Sequence, residues 1–255
     1  MDADRPLALV TGGCRRLGAR IAAALAGAGY ALALHGRRDT ALDPVLERVL
    51  AETGVPHARF AADFADPSAA AGVLASAMAH FGRRPTLLVN SAALFGQDRL
   101  ETVSVDDLGR HYAVNCIAPV LLTQAYAAAP GDGGRCIVNI LDQRLAQPHG
   151  DQLSYTLSKQ ALAGFTRIAA RELAGRGLRV NGVAPGLTLA TDDYDAEGLA
   201  ALGARMPLGR LPAPEDVAEA VLYLAHARAV TGQVIAVDGG AHMESYPRDF
   251  MYLPQ

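Results

Sequence analysis

The strongest constraint on the fold lies in the first thirty-five residues of the chain. Leu7 to Val10 is a short apolar run after Pro6, and it breaks into Thr11-Gly12-Gly13-Cys14-Arg15-Arg16-Leu17-Gly18. A stretch rich in Ala, Ile and Leu follows to about Ala28 and reads as a helix closed by Gly29, and Tyr30 to His35 reads as a second strand. Strand, glycine turn, helix and strand in that order form a mononucleotide-binding βαβ unit. Each glycine has a physical task. Gly12 permits a tight turn and the approach of a pyrophosphate to the backbone, while Gly18 lets helix and strand pack closely. The helix N-terminus offers free N–H groups and the positive end of its dipole to the phosphates, with Arg15, Arg16 and Leu17 completing the turn.

The end of the second strand selects the nucleotide. A carboxylate there serves the ribose 2′-hydroxyl of NAD, and an arginine serves the 2′-phosphate of NADP. The chain reads His35-Gly36-Arg37-Arg38, with no acid before Asp39. Arg37 and Arg38 as phosphate ligands predict NADP(H). A pair of solvated surface arginines is the other reading.

The alternation then repeats. Helix is expected over Thr40 to Thr53, strand over Pro56 to Phe60 ending near Asp63, and helix over Pro67 to Phe81. Thr86 to Val89 is a strand leading into Asn90-Ser91-Ala92-Ala93-Leu94-Phe95, followed by one long helix from Val105 to about Ala128 that contains Asn115. Further strands are expected near Ile137, over Leu178 to Val183 before Ala184-Pro185-Gly186, and over Val234 to Val237 before Asp238-Gly239-Gly240. A helix from Pro214 to about Ala227 begins with Pro-Glu-Asp, a favourable first turn. The expected fold is α/β: a single doubly wound Rossmann domain over residues 1–255, with a seven-stranded parallel sheet flanked by helices. A lid is expected over about 187–207, the polar run Asp192 to Ala204 reading as a lid or a short mobile helix pair, and a C-terminal tail over 242–255.

Composition narrows the partners. A net charge of −3 leaves no basic field for nucleic acid. The longest apolar region, Ile21 to Leu34, is too short and too broken by glycine to span a bilayer. Cys14, Cys116 and Cys136 are odd in number and lack any C-x-x-C, so no metal and no disulfide framework is expected. A cytoplasmic protein with a small-molecule substrate is the expectation.

The stretch from Ile137 to Lys159 carries the candidate chemistry. Tyr155 and Lys159 lie four apart on a helix and share one face. A phenol with a pKa near 10 is a poor acid at neutral pH, and a neighbouring cation is expected to lower it. A lone Y-x-x-x-K is also a common solvated pair. Its setting decides: the glycine turn, Asn90, Asp142 and Pro185-Gly186 all follow strands and therefore share one rim, which the Tyr155 helix overhangs.

With these residues assembled, the chain resembles the short-chain dehydrogenase/reductases over essentially its whole length. The resemblance rests on T-G-x-x-x-x-x-G at Thr11 to Gly18, Asp63, N-S-A-A from Asn90, Asn115, Tyr155, Lys159, Pro185-Gly186 and Asp238-Gly239-Gly240. It implies hydride transfer at the nicotinamide C4, with Tyr155 as acid/base and Lys159 on the nicotinamide ribose. Asn115 would support a water linking Lys159 to solvent, and Thr188 would hold the carboxamide. The implied cofactor set also takes in Gly12, Gly18, His35, Asp63, Asn90, Ala92, Pro185 and Gly186. A homotetramer, packed through its two long helices and its last strand and helix, is implied as well.

Two departures narrow the family. Arg16 replaces the middle glycine of the turn, and Asp142 stands where a serine is usual, thirteen residues before Tyr155. Both are similar to pteridine reductases and the related dihydromonapterin and dihydrofolate reductases. So are His35 to Arg38, Gln147-Pro148, Asn115 to Pro119 and Arg179 to Leu187. Phe95 matches the aromatic that stacks on the pterin there, and Arg16 would reach both phosphates and pterin. Ala93 replaces a serine of that family, which puts one contact in doubt. A serine suits a ketone oxygen, whereas a C=N acceptor needs a proton on nitrogen, which Asp142 beside Tyr155 would help deliver. The alternatives are an Asp142 that only caps its loop, a reductase or dehydrogenase of another carbonyl substrate, and an NADP-sensing protein without turnover. Arg144 and the tail receive no role from the sequence.

Overall fold

The computed structural model describes residues 5–38, 41–130, 134–189 and 195–252. Seven parallel strands form one sheet in the order β3-β2-β1-β4-β5-β6-β7. They are β1 (Leu7–Thr11), β2 (Ala31–Gly36), β3 (His57–Ala61), β4 (Leu87–Asn90), β5 (Arg135–Ile140), β6 (Leu178–Pro185) and β7 (Val234–Val237). The strand order reverses between β1 and β4, so their carboxyl ends part and leave a crevice, where ligands bind in such sheets.

Strands buried on both faces explain the near-continuous apolar runs of β1, β2, β4 and β5. Successive residues of β1 point to opposite sides. Ala8 and Val10 join a core with α1 (Arg16–Gly27), α2 (Pro44–Thr53) and α8 (Pro214–His226). Leu7 and Leu9 join a second core with α3 (Ala69–Phe81), α5 (Ala118–Ala128) and α6 (Leu153–Leu173). Each large aliphatic side chain removed from water contributes about 1.5–3 kcal/mol before entropy is counted. The two apolar layers therefore fix which way every strand end points. β3, at the edge, alternates exposed with half-buried residues, as a solvated edge strand should.

The helix expected from Val105 to Ala128 is interrupted. α4 (Val105–Tyr112) passes through one widened turn, Ala113–Ile117, before α5, and the Ala118 N–H bonds back to the Ala113 carbonyl. Asn115 sits in that turn, a geometry that recurs at functional sites. The expected helix pair near Asp192 is one helix, α7 (Ala196–Arg205), begun by Asp195 accepting from the Gly198 N–H. Residues 190–194 and 253–255, parts of the expected lid and tail, lie outside the described residues, as do Asp39 and Thr40. The helix expected from Thr40 begins at Pro44, because Asp43 caps it through the Val45 N–H. Among the described residues no helix is long and apolar enough to cross a membrane.

Candidate active site

The glycine turn is assembled from backbone. Gly12 has φ +65°, and a Cβ there would lie 3.0 Å from the Ala92 Cα. A Cβ on Gly18 would lie 2.2 Å from the Gly12 carbonyl oxygen, a collision of backbone with side chain that no rotamer relieves. Thr11 Oγ1 accepts from the N–H groups of Ser91 and Ala92, each at 3.0 Å, which clamps the β4 loop to the β1 loop. His35 supports the turn from behind: its Nδ1 accepts from the Gly12 N–H at 3.3 Å, which leaves Nε2–H to donate to the Ala62 carbonyl at 3.0 Å. Its ring stacks on Phe64 at 4.0 Å, and burial lowers its pKa, which keeps it in the neutral form these bonds require. His35, expected to touch cofactor, thus has both ring nitrogens engaged in holding the turn. Phe64, which the sequence did not single out, completes that brace.

Arg16 occupies the position of the missing glycine and keeps a glycine's backbone, with φ +52°. An L-residue there carries a strain of about 1–2 kcal/mol. Arg15 and Arg16 line an open cleft of about 370 Å³ with Ala41, Leu42, Asp43 and Pro44. Arg37 and Arg38 lie exposed at the end of β2 and do not line that cleft. Asp63, also exposed, accepts from the Ala65 N–H and shapes the loop after β3. Gly186 donates its N–H to the Val237 carbonyl, and a Cβ on it would lie 2.9 Å from the Asp238 Cα. Pro185 ends β6 beside it, and Thr188 follows, half-buried.

Register carries polar side chains across the middle of the rim. Thr11 pairs with Asn90, and Asn90 with Asn139. Asn90 donates to Asn139 Oδ1 at 2.8 Å, and Asn139 donates to Thr166 at 2.9 Å. The Asn90 Oδ1 is buried and has no hydrogen-bond partner among the described residues. Asn115 is not poised over Lys159 through its side chain. Its Oδ1 accepts from the Leu94 N–H at 2.7 Å, and its Nδ2 donates to the Leu94 carbonyl and to Ser158 Oγ, both at 2.9 Å. The widened helical turn thereby fixes the peptide that presents Phe95.

Tyr155 and Asp142 meet directly. The phenol donates to Asp142 Oδ2 at 2.9 Å, while Asp142 Oδ1 caps the following turn by accepting from the Arg144 N–H at 2.9 Å. Asp142 thus caps its loop with one oxygen and accepts from Tyr155 with the other. Phe95 stands edge-on to Tyr155 at 4.8 Å and is 51% exposed, so it faces solvent rather than the core. α6 is anchored at its start by Asp98, which accepts from the Ser154 N–H and hydroxyl. A carboxylate at a helix N-terminus also opposes its dipole.

The electrostatics overturn one expectation. Lys159 Nζ donates to the Ile140 carbonyl at 2.7 Å and lies 5.7 Å from the Tyr155 ring centroid. Burial pushes its pKa down to about 8. Tyr155 is raised well above 10, first by burial, then by the Asp142 charge, with Arg144 pulling the other way. The phenol is thus held protonated instead of being drawn toward phenolate, because it is buried and its hydroxyl faces an anion.

Arg144 is the residue the sequence left without a role. Its guanidinium is buried, donates to Asp142 Oδ2 at 3.3 Å and to the Asp249 carboxylate, and gives its Nε–H to His149 at 3.1 Å. It lies 5.5 Å from the Phe95 ring centroid and 5.6 Å from that of Tyr155. Asp249 belongs to the C-terminal segment, which in this chain packs on its own site. Nothing in local spacing links residues 142, 144 and 249, so only the fold could reveal the cluster.

Residues 14–242 match the family model described as enoyl-(acyl carrier protein) reductase. (3R)-3-hydroxyacyl-CoA dehydrogenase of Mus musculus is 36% identical over 249 residues, which cover 93% of this chain and 96% of that protein. Pteridine reductase 1 of Leishmania tarentolae is 31% identical over 280 residues, covering 92% and 96%. The solved structure of FolM alternative dihydrofolate reductase 1 from Brucella canis, complexed with NADP, has a TM-score of 0.87 at 35% identity and covers 98% of each chain. The seven-stranded parallel sheet agrees with these matches: the chain belongs to the short-chain dehydrogenase/reductase family.

Proposed function

We propose that this chain is an NADPH-dependent reductase of a dihydropterin or dihydrofolate-like heterocycle. The observation that carries the reading is the 2.9 Å bond from the Tyr155 hydroxyl to Asp142. A carbonyl reductase needs a neutral donor at that position to bind the substrate oxygen. A carboxylate instead accepts from the Tyr155 hydroxyl and, with its other oxygen taken by the Arg144 N–H, keeps the phenol protonated for delivery of that proton to a ring nitrogen.

The residues present fit a dinucleotide: a turn closed to any Cβ at Gly12 and Gly18, a helix N-terminus, and the unpartnered Asn90 Oδ1. Arg15 and Arg16 would take phosphate oxygens, Arg37 and Arg38 the 2′-phosphate, Asn90, Tyr155 and Lys159 the nicotinamide ribose, and Thr188 the carboxamide. NADPH, when bound, supplies a hydride from its nicotinamide C4. The substrate C=N then gains that hydride at carbon and one proton at nitrogen, giving an amine and NADP⁺. Tyr155 carries the proton, because burial and Asp142 keep it on the phenol at neutral pH. Phe95, exposed and edge-on to Tyr155, offers a face on which a flat heterocycle stacks. Lys159, near its own midpoint at pH 8, restores the proton to Tyr155 from the solvent side.

The similarity to pteridine reductase 1 and to the NADP complex of FolM alternative dihydrofolate reductase 1 supports this substrate class. A homotetramer and a cytoplasmic location belong to the same reading. Exposed Ile117 in the widened turn before α5, exposed Ile168 on α6, and the half-exposed edge strand β7 support the first, and three free cysteines the second. The test is steady-state oxidation of NADPH against dihydrobiopterin, dihydromonapterin, dihydrofolate, and a panel of ketones and quinones. Turnover of dihydropterins, with NADPH preferred to NADH, is expected. Turnover of ketones alone would replace the reading with a carbonyl reductase, and NADPH binding without any turnover would replace it with a sensor.

A further inference from the structure

We infer that Arg144 and Asp249 are positioning residues for the proton-donating pair, so that the C-terminal segment sets how firmly Asp142 holds the Tyr155 proton. The inference rests on Tyr155 being the proton donor, and it is independent of which acceptor is reduced.

The geometry is a shared guanidinium. Asp142 Oδ2 receives two donors, the Tyr155 hydroxyl at 2.9 Å and Arg144 at 3.3 Å. Arg144 is in turn divided: one terminal nitrogen faces Asp142, the other Asp249, and its Nε faces His149. A carboxylate with an undivided counter-ion would attract the phenol proton weakly. By drawing Arg144 toward itself, Asp249 leaves Asp142 with charge to direct at Tyr155.

The clamp is itself held in place. The Asp249 N–H donates to Asp151 at 2.9 Å, and its Oδ1 accepts from the Met251 N–H at 3.1 Å. Arg248 reaches Asp151 with both Nε and Nη2, at 3.2 and 3.0 Å, and Arg99 pairs with the same carboxylate at 3.2 Å. Three arginines (99, 144 and 248) thus face three aspartates (142, 151 and 249), with Glu101 also on Arg99 at the exposed edge, so the carboxylates at the buried end are each paired. Removing one member changes the charge seen by Tyr155, and the sign depends on which member is lost.

The groups that face Tyr155 are Asp142 and Arg144 from the loop after β5, Lys159 from its own helix, and the uncharged Phe95 from the β4 loop. Asp249 and His149 stand behind Arg144. His149 has its pKa lowered by burial and by Arg144, so it is neutral throughout the alkaline range. Lys159 titrates near 8 and is common to every variant, so shifts are read against wild type.

The experiment is the pH dependence of kcat for Arg144→Met, Arg144→Lys and Asp249→Asn. Each is measured with dihydrobiopterin and, in parallel, with an ortho-quinone, since both reductions draw on the Tyr155 proton. Arg144→Met leaves Asp142 unopposed and should move the alkaline limb up by about one unit. Asp249→Asn returns Arg144 to Asp142 and should move it down. Arg144→Lys keeps the charge and should leave the limb near wild type, while kcat falls about tenfold because an ammonium lacks the fork that spans Asp142, Asp249 and His149. The KM for NADPH should be unchanged in all three. If Arg144→Met does not fold, the other two variants still carry the test. An alkaline limb of Arg144→Met or of Asp249→Asn that coincides with wild type, or limbs of these two that move the same way, overturn the inference. A wild type that reduces the quinone and no dihydropterin would refute the substrate reading alone.

Discussion

The two sides of the rim are made differently. On the β1 side the site is backbone: a left-handed Gly12, a Gly18 with no room for a methyl group, and a helix N-terminus. On the β5 side it is side chains: Tyr155, Asp142 and Arg144, held by a segment more than a hundred residues downstream. Backbone sites depend on local conformation and tolerate almost no substitution. A side-chain cluster depends on charge balance, and its members can be exchanged in steps. The contrast predicts that damage on the first side strikes fold and cofactor together, whereas damage on the second can remove chemistry and spare binding.

The largest expected effect is on the second side. Tyr155→Phe removes the transferable proton while keeping the ring, and should lower kcat by about 10³-fold or more, while NADPH affinity falls only by the loss of one ribose hydrogen bond, about tenfold or less. Fluorescence titration of NADPH beside steady-state rates checks it, and a matching loss of affinity would blur the division. On the first side, Gly18→Ala forces the turn apart. It should destabilise the protein by about 3 kcal/mol in urea unfolding and abolish NADPH binding along with it.

Lys159 adds a dependence on pH. Its pKa is about 8 in the fold against 10.5 without perturbation, so between those values the folded chain binds fewer protons than the unfolded one. Stability therefore rises with pH across that window, and below it the buried ammonium costs about 3 kcal/mol. Lys159→Met should be the more stable protein at pH 7, with an advantage that fades between about pH 8 and 10.5. Urea midpoints across that range decide it; a constant difference would place the ammonium in contact with solvent.

Arg16 gives the smallest effect and joins the two sides. Arg16→Gly relieves a left-handed backbone and should change stability by less than about 1 kcal/mol, toward greater stability, while weakening NADPH binding. A clear loss of stability would mean that the arginine side chain, rather than the conformation, holds the turn.

The same contrast explains what the sequence made legible. Gly12, Gly18, Asn90, Tyr155 and Lys159 were readable because strand, turn and helix fix their spacing, and the sheet order matches the expected alternation. The break in the helix at Asn115 was not, because a residue forced into a widened turn by bonds to Leu94 and Ser158 leaves the apolar period intact. Asp98 escaped for a different reason, as an ordinary polar residue whose partner, Ser154, is brought to it only by the folded sheet, and for the same reason His35, expected at the cofactor, was not read as the brace of Gly12. Arg144 escaped most completely. Beside Asp142 in sequence it resembles a solvated loop arginine, and its burial depends on Asp249. The expected lowering of the Tyr155 pKa failed for the same reason, since a pairing at four residues' spacing says nothing of an anion from the neighbouring loop.

The central claim is that Asp142 makes Tyr155 a proton donor to nitrogen. Asp142→Ser, which restores the residue usual in the family, tests it most directly when NADPH oxidation is followed with dihydrobiopterin. The account predicts a fall in kcat of about 10²-fold or more with NADPH affinity retained. Full retained activity would contradict it and return Asp142 to the role of a loop cap.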